Sequence, residues 1–235
     1  MARGFAVWLV VAGLAVTGLP AAHAGGVNVE TTGVTVGLDV ESVRERRYRG
    51  IMEQKYDYSC GAAALASLLK YHYGRSETTE LDVFKGMWRG GDKEKIREKG
   101  FSMLDMKRYL SQRSIKANGY KVSLDKLVEA GIPGIALINT DGYKHFVLIK
   151  GVREDAVLYG DPARGRRKVD RVRFEEMWNG AVFVVLEDNP EAKATFGEEQ
   201  EWTVRMPAPI RTGVEQSRNA FTSTGPVVRP GPNAF

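Results

Sequence analysis

The sequence predicts an α+β domain. Helix-forming patterns fill the stretch from Cys60 to Ala130, and short apolar runs separated by turn residues fill Gly134 to Leu186. Helices gathered in one half and antiparallel strands in the other define that class. Beyond Asn189-Pro190 the apolar density falls and prolines punctuate the chain, so the domain is expected to end near residue 187.

Taken in order, the chain opens as an export signal. Arg3 precedes an apolar run from Phe5 to Leu19, then Pro20 and the small-x-small triplet Ala22-His23-Ala24. Cleavage is expected after Ala24, which assigns residues 1–24 to the signal and places the mature protein in the periplasm. The alternative is an uncleaved anchor in the inner membrane, facing the periplasm. Membrane association is expected only in that case. Residues 25–47 form an N-terminal extension in which Val27, Val29, Val34, Val36, Leu38 and Val40 recur among polar residues, the pattern of a peripheral strand or extended arm. Ile51-Met52 follows as a short strand or loop.

Asp57, Tyr58 and Ser59 read as turn or cap residues, because a Ser or Asp oxygen accepts from the first free helical N–H groups. The alanine-rich run after Cys60 is a strong helix former, expected to run to about Tyr73 and stop at Gly74. Leu65, Leu68, Leu69 and His72 share its buried face. A second helix is expected over Thr79 to Trp88, ended by Gly90-Gly91, and a charged segment from Asp92 to Glu98 ends at Gly100. Ser102 caps a third helix, Met103 to Gln112, with Leu104, Met106 and Leu110 buried. Ser123 to Ala130 is a short helix stopped by Gly131 and Pro133.

Strands follow at Gly134–Ile138, His145–Lys150, Ala156–Tyr159, Arg166–Val169 and Ala181–Leu186, with one helical turn at Phe174–Trp178. The first two form a hairpin around Asn139 to Gly142. Residues 188–235 read as a Pro/Gly-rich, poorly ordered tail with one docked segment around Trp202, whose removal should leave the core intact.

Composition narrows the function. At 235 residues, with 43% hydrophobic and 27% charged side chains, the chain is a soluble globular protein of one ordinary domain plus flanks. A net charge of +5, with bases and acids interspersed, names no nucleic-acid partner. The single cysteine excludes an intramolecular disulfide and a cysteine-cluster metal site, and no phosphate-binding loop motif occurs. No cofactor or metal is expected.

Cys60 is the residue to explain. A lone cysteine is more often a small buried hydrophobe than a nucleophile. This one starts a helix, where unsatisfied N–H groups favour a thiolate, and it stands in an exported chain where a spare thiol is a hazard. Of the three histidines, His23 leaves with the signal. His72 lies about 18 Å along the same helix at 1.5 Å per residue, so it is read as a core or surface histidine. His145 remains, at the start of a strand. Asp161 opens an Asp-Pro turn, and pairing of the two strands brings it beside His145, where a carboxylate fixes an imidazole's tautomer and favours its cation. Gln54 supplies an amide donor, with the Cys60 backbone N–H, for an oxyanion. The expected roles are Cys60 nucleophile, His145 base, Asp161 orienter and Gln54 oxyanion donor.

At Gln54-x5-Cys60-Gly61-x-Ala63, Gly142-Tyr-Lys-His145-Phe-Val-Leu148 and Tyr159-Gly-Asp161-Pro162, the chain resembles the double-glycine cysteine peptidases that process bacteriocin leaders. The segment Phe174-x3-Trp178-x-Gly180 resembles the family's C-terminal end, and the resemblance spans about residues 48–187. It implies a papain-like fold, with the nucleophile helix of a helical N-terminal half packed on a C-terminal antiparallel sheet. It also implies a peptide or protein substrate cut after a Gly-Gly-type site. Many transporter-fused members carry Asp directly before the cysteine, where this chain has Ser59. With an export signal and no ATPase, the chain is similar to free-standing periplasmic members, some of which accompany functional-amyloid secretion clusters. A secretion-system or outer-membrane export partner is implied.

Other readings stay open. A murein endopeptidase also uses an exported Cys/His pair, and a peptide-binding module or secretion chaperone could keep the fold without the chemistry. The cluster Arg164, Arg166, Arg167, Lys168, Arg171 and Arg173 lacks the interleaved aromatics of a nucleic-acid surface and would suit an acidic substrate or lipid headgroups.

Overall fold

The alanine-rich run does form a helix, and it becomes the centre of the domain. The computed structural model describes residues 26–31, 34–39, 42–56, 58–140 and 142–203, so the expected signal over residues 1–24 lies outside the described residues. The expected arm contains an antiparallel hairpin, β1 (Gly26–Thr31) and β2 (Val34–Asp39), with Val27 opposite Leu38 and Val29 opposite Val36. It forms a unit of its own.

The second unit starts at Arg44, within α1 (Val43–Tyr48), and continues through the loop that carries Ile51, Gln54 and Ser59. The central helix, α2 (Cys60–His72), is buried at nearly every position, as its small and apolar residues allow. Gly74, at φ +64°, then turns the chain away through a conformation that favours glycine. Helices α3 (Glu80–Gly90), α4 (Lys93–Lys99) and α5 (Met103–Ser111) each begin on a side-chain cap, from Thr79, Asp92 and Ser102 respectively. Ser102 and Asp105 cap reciprocally. In α5, Met106, Tyr109 and Leu110 are buried, whereas Leu104 is 52% exposed. Leu104 was expected in the core, but it stands two residues from Met106, about 200° round a helix, and so faces solvent.

Strand β3 (Ala117–Lys121) comes next, then α6 (Leu124–Ala130), capped by Ser123 and closed by Gly131 in the left-handed region. Four strands follow, β4 (Gly134–Thr140), β5 (Tyr143–Val152), β6 (Ala156–Asp161) and β7 (Gly165–Asp170). Helix α7 (Arg171–Met177) leads into β8 (Trp178–Val185). All pairings in the six-stranded sheet are antiparallel, in the order β3-β8-β4-β5-β6-β7.

One face of the sheet meets the helical half. Ile135, Phe146, Leu148, Phe183 and Val185 join α2, α3 and α5 in one core. The alternate residues Ala136, Ile138, Val147, Ile149, Val157 and Tyr159 form a second core with Leu124, Leu127 and Phe174 from α6 and α7. This is the period-two alternation of a sheet covered on both faces. The register between β5 and β6 shifts between Ile149 and Gly151, which leaves Lys150 as the extra residue of a bulge.

The segment expected as a tail from residue 188 carries regular structure at its start. Asn189 caps α8 (Pro190–Thr195), and a 3₁₀ turn spans Glu199–Thr203. Ala192 enters the main core and Trp202 packs on Ala156 and Leu158. His72 is buried, as one of its readings had it. Its Nδ1 meets the Thr195 hydroxyl at 2.7 Å, and burial together with the nearby Lys150 ammonium pushes its pKa down to about 3. Among the described residues no helix is long and apolar enough to cross a membrane.

Candidate active site

The two halves meet where α2 begins. Gly61 matters to that contact: a Cβ there would lie 3.0 Å from Met106 Cε and 3.3 Å from both Phe101 Cβ and Phe146 Cδ2. Without it, the start of α2 closes directly onto Phe146, the neighbour of His145 on β5. Cys60, at 9% exposure, sits at that junction.

Strand register brings the next two groups together. Leu148 pairs with Gly160, so one step further places Asp161 opposite Val147 and diagonal to His145 on the same face. His145 Nε2 and Asp161 Oδ1 are 2.8 Å apart, and both side chains are buried. Asp161 Oδ1 also accepts from the backbone N–H of Ala163 at 2.8 Å and of Arg164 at 3.2 Å, which fixes the carboxylate before the imidazole docks. Burial alone would raise its pKa, but His145 and the Ala163 N–H hold it below the usual carboxylate range.

For His145, burial disfavours the cation. The Asp161 carboxylate and the Cys60 thiol oppose it and raise the imidazole to about 9. Nδ1 is buried without a hydrogen-bond partner, although Cys60 acts on the ring electrostatically. The ring is therefore held by Nε2, and Nδ1 is the nitrogen left for the thiol. Tyr143 stacks on the ring, with centroids 5.8 Å apart.

Gln54 is tied to the same corner through its backbone, whose N–H donates to the Pro162 carbonyl at 2.9 Å. Its side-chain Nε2 donates to the Tyr56 carbonyl at 3.1 Å, and a primary amide has a second hydrogen to give. Its Oε1 is buried and unpartnered. Among the described residues no group of His, Cys, Asp and Glu side chains is arranged to hold a metal ion.

Ser59 departs from expectation. It stands at the N-cap position, but its hydroxyl makes no cap bond. It lies 2.6 Å from Glu80 Oε1 and receives the Tyr56 N–H at 3.2 Å. The same Glu80 oxygen accepts from the Lys55 N–H at 3.0 Å. Glu80 is 6% exposed, at the first position of α3, and it pins the loop between Gln54 and Cys60. Sequence reasoning missed it, because an acid in a first helical turn ordinarily reads as a favourable dipole partner on the surface. Glu80→Ala strands the Lys55 N–H, while the Ser59 hydroxyl keeps the Tyr56 carbonyl at 2.9 Å, and should cost about 1–3 kcal/mol of stability. It should also cost about a hundredfold in kcat/KM through a misplaced loop. Thermal melts and steady-state kinetics check both, and Glu80→Gln, which keeps an acceptor, should lose less. Above this network Tyr56, Tyr58, Phe84, Trp88 and Phe101 form a continuous aromatic wall.

Such a junction, with helices on one side and an antiparallel sheet on the other, is that of a papain-like cysteine peptidase. The Peptidase C39 family model matches residues 49–190, and the chain belongs to that family. Among curated relatives, it is 46% identical over 154 residues to the probable functional amyloid protease FapD of Pseudomonas fluorescens, covering 66% of this chain and 68% of that protein. It is 42% identical over 172 residues to the protein of the same name from Pseudomonas aeruginosa, covering 73% of this chain and 72% of that one. Among solved structures, a double glycine motif protease from an AMS/PCAT transporter in complex with the leader peptide aligns at 25% identity. Its TM-score is 0.48, and the match covers 57% of this chain and 89% of that one.

Proposed function

We propose that the protein is an exported thiol peptidase that cuts a secreted protein or its leader after a Gly-Gly-type site. The observation that carries this reading is His145, held by Asp161 through Nε2 with Cys60 acting on the same ring. Cys60 Sγ attacks the scissile carbonyl as a thiolate, and the imidazolium of His145 balances its charge. The oxyanion that forms takes hydrogen bonds from the Cys60 backbone N–H and the second Nε2 hydrogen of Gln54. His145 gives its proton to the leaving amine and the C–N bond breaks. His145, now neutral, accepts a proton from water, which attacks the thioester and releases the acid and the thiol. Asp161 holds the imidazole in one orientation throughout.

The export pattern of residues 1–24 supports a periplasmic location. Residues 25–47 are an extension, and the catalytic domain is the segment that resembles the family, about residues 48–187. The relatives' name supports a functional-amyloid protein as the substrate, and the export pattern of this chain supports a separate secretion partner. The test is incubation of the mature protein with peptides spanning Gly-Gly, followed by intact mass spectrometry. Cleavage with transient acylation of Cys60 is expected. Binding without cleavage at any pH would instead favour a peptide-binding module.

A further inference from the structure

Beside His145, on the face of the sheet away from α2, lies a pocket of about 220 Å³. Arg164, Arg167 and Arg173 line it together with Tyr143, His145 and Asp161. We infer that this pocket takes an acidic side chain of the substrate on the leaving-group side of the cleaved bond. The inference rests on the peptidase reading, which puts the departing amine at the imidazole.

Charge balance carries the argument. Among the described residues Asp161 is the one acid in the lining, and its Oδ1 is already shared by His145 and two backbone N–H groups. Arg173 has Glu176 at 2.7 Å on the exposed helix surface. Neither Arg164 nor Arg167 forms a salt bridge with a carboxylate among the described residues. Arg167 instead lies by the Tyr159 hydroxyl, where it favours the phenolate against burial. Arg164 and Arg167 thus line a concave site whose one carboxylate among the described residues, Asp161, is already engaged, and a guanidinium so placed can take a further carboxylate bidentately. The volume falls below the roughly 300–1,000 Å³ of small-molecule pockets, so it suits one residue of a peptide better than a separate ligand. A flat anionic membrane does not reach into such a recess.

The test uses the full mature protein and three peptides identical except that Glu, Gln or Lys follows Gly-Gly. We expect kcat/KM for Glu to exceed that for Gln by about tenfold. The ratio should fall toward unity in Arg164→Gln/Arg167→Gln, and Arg167→Glu should shift preference toward Lys. A wild-type ratio near unity, or one that the double variant leaves unchanged, overturns the inference while the peptidase reading stands. Should no peptide be cleaved, the peptidase reading fails separately, and alkylation still reads the pocket. Iodoacetate against iodoacetamide at Cys60 gives a rate ratio that the double substitution should lower; an unchanged ratio refutes the pocket. Arginine-dependent binding to phosphatidylglycerol vesicles without any peptide preference would reassign these residues to lipid headgroups.

Discussion

His145→Ala should reduce kcat/KM by about ten-thousandfold or more, because one residue supplies both the counter-charge of the thiolate and the proton for the leaving amine. Asp161→Asn is the more informative companion. Burial opposes the His145 cation, and Asp161 is the largest influence holding its pKa near 9. Without that charge the imidazole falls back toward or below its ordinary 6.5. The alkaline limb of kcat/KM, expected near pH 9 in the wild type, should therefore move toward neutrality, and turnover at about pH 8 should collapse. Stability carries the same signature. The folded-state pKa lies above the unfolded one, so the contribution of His145 is complete below about 6.5 and is lost as pH rises to about 9. For Asp161 the folded pKa is depressed below 3.8, so its contribution is present above that value and is lost as pH falls. An alkaline limb that stays in place in Asp161→Asn would remove the carboxylate from the mechanism.

What could be read in the sequence follows from how local its causes were. The strand pairing that unites His145 and Asp161 follows from two short continuous apolar runs, Phe146–Ile149 and Ala156–Leu158, visible in the sequence. The helix at Cys60 follows from its alanines. Strand β3 escaped notice because Asn118, Gly119 and Lys121 carry no alternating apolar pattern. It is an edge strand, held by its ladder with β8 more than by its own side chains. Ser59 does stand at the N-cap of α2, but the turn of its hydroxyl to Glu80 was not legible, because Glu80 is distant in sequence and only packing brings it near. Asn189-Pro190 was read as the point where the domain gives way to a tail, although the same pair is a cap followed by proline at the first helical position, a signal that starts helices.

That misreading reverses one expectation outright: deletion from residue 190 onward should destabilise the core, not spare it. Lys150 is 1% exposed at the bulge in β5. Its ammonium is met by the Glu201 carboxylate and, at 3.1 Å, by the Gly50 carbonyl. Burial lowers its pKa and Glu201 opposes that, so the carboxylate keeps the cation in place. The same segment gives the Gly197 N–H to the Lys150 carbonyl at 2.7 Å, Thr195 to His72, and Trp202 as a cover for Ala156 and Leu158. Removing one partner of a buried ion pair costs about 3–5 kcal/mol. For a domain of this size that lowers Tm by roughly 6–20 °C. Lys150→Met in the chain lacking residues 190–235 should recover part of the loss, because it removes the stranded charge and keeps the stem. Without the bulge contact β5 loosens at one end while His145 sits near the other, so turnover should fall along with Tm. A truncated protein that melts within about 2 °C of the full chain would show that Lys150 finds water or another partner, and that the segment is only a cover.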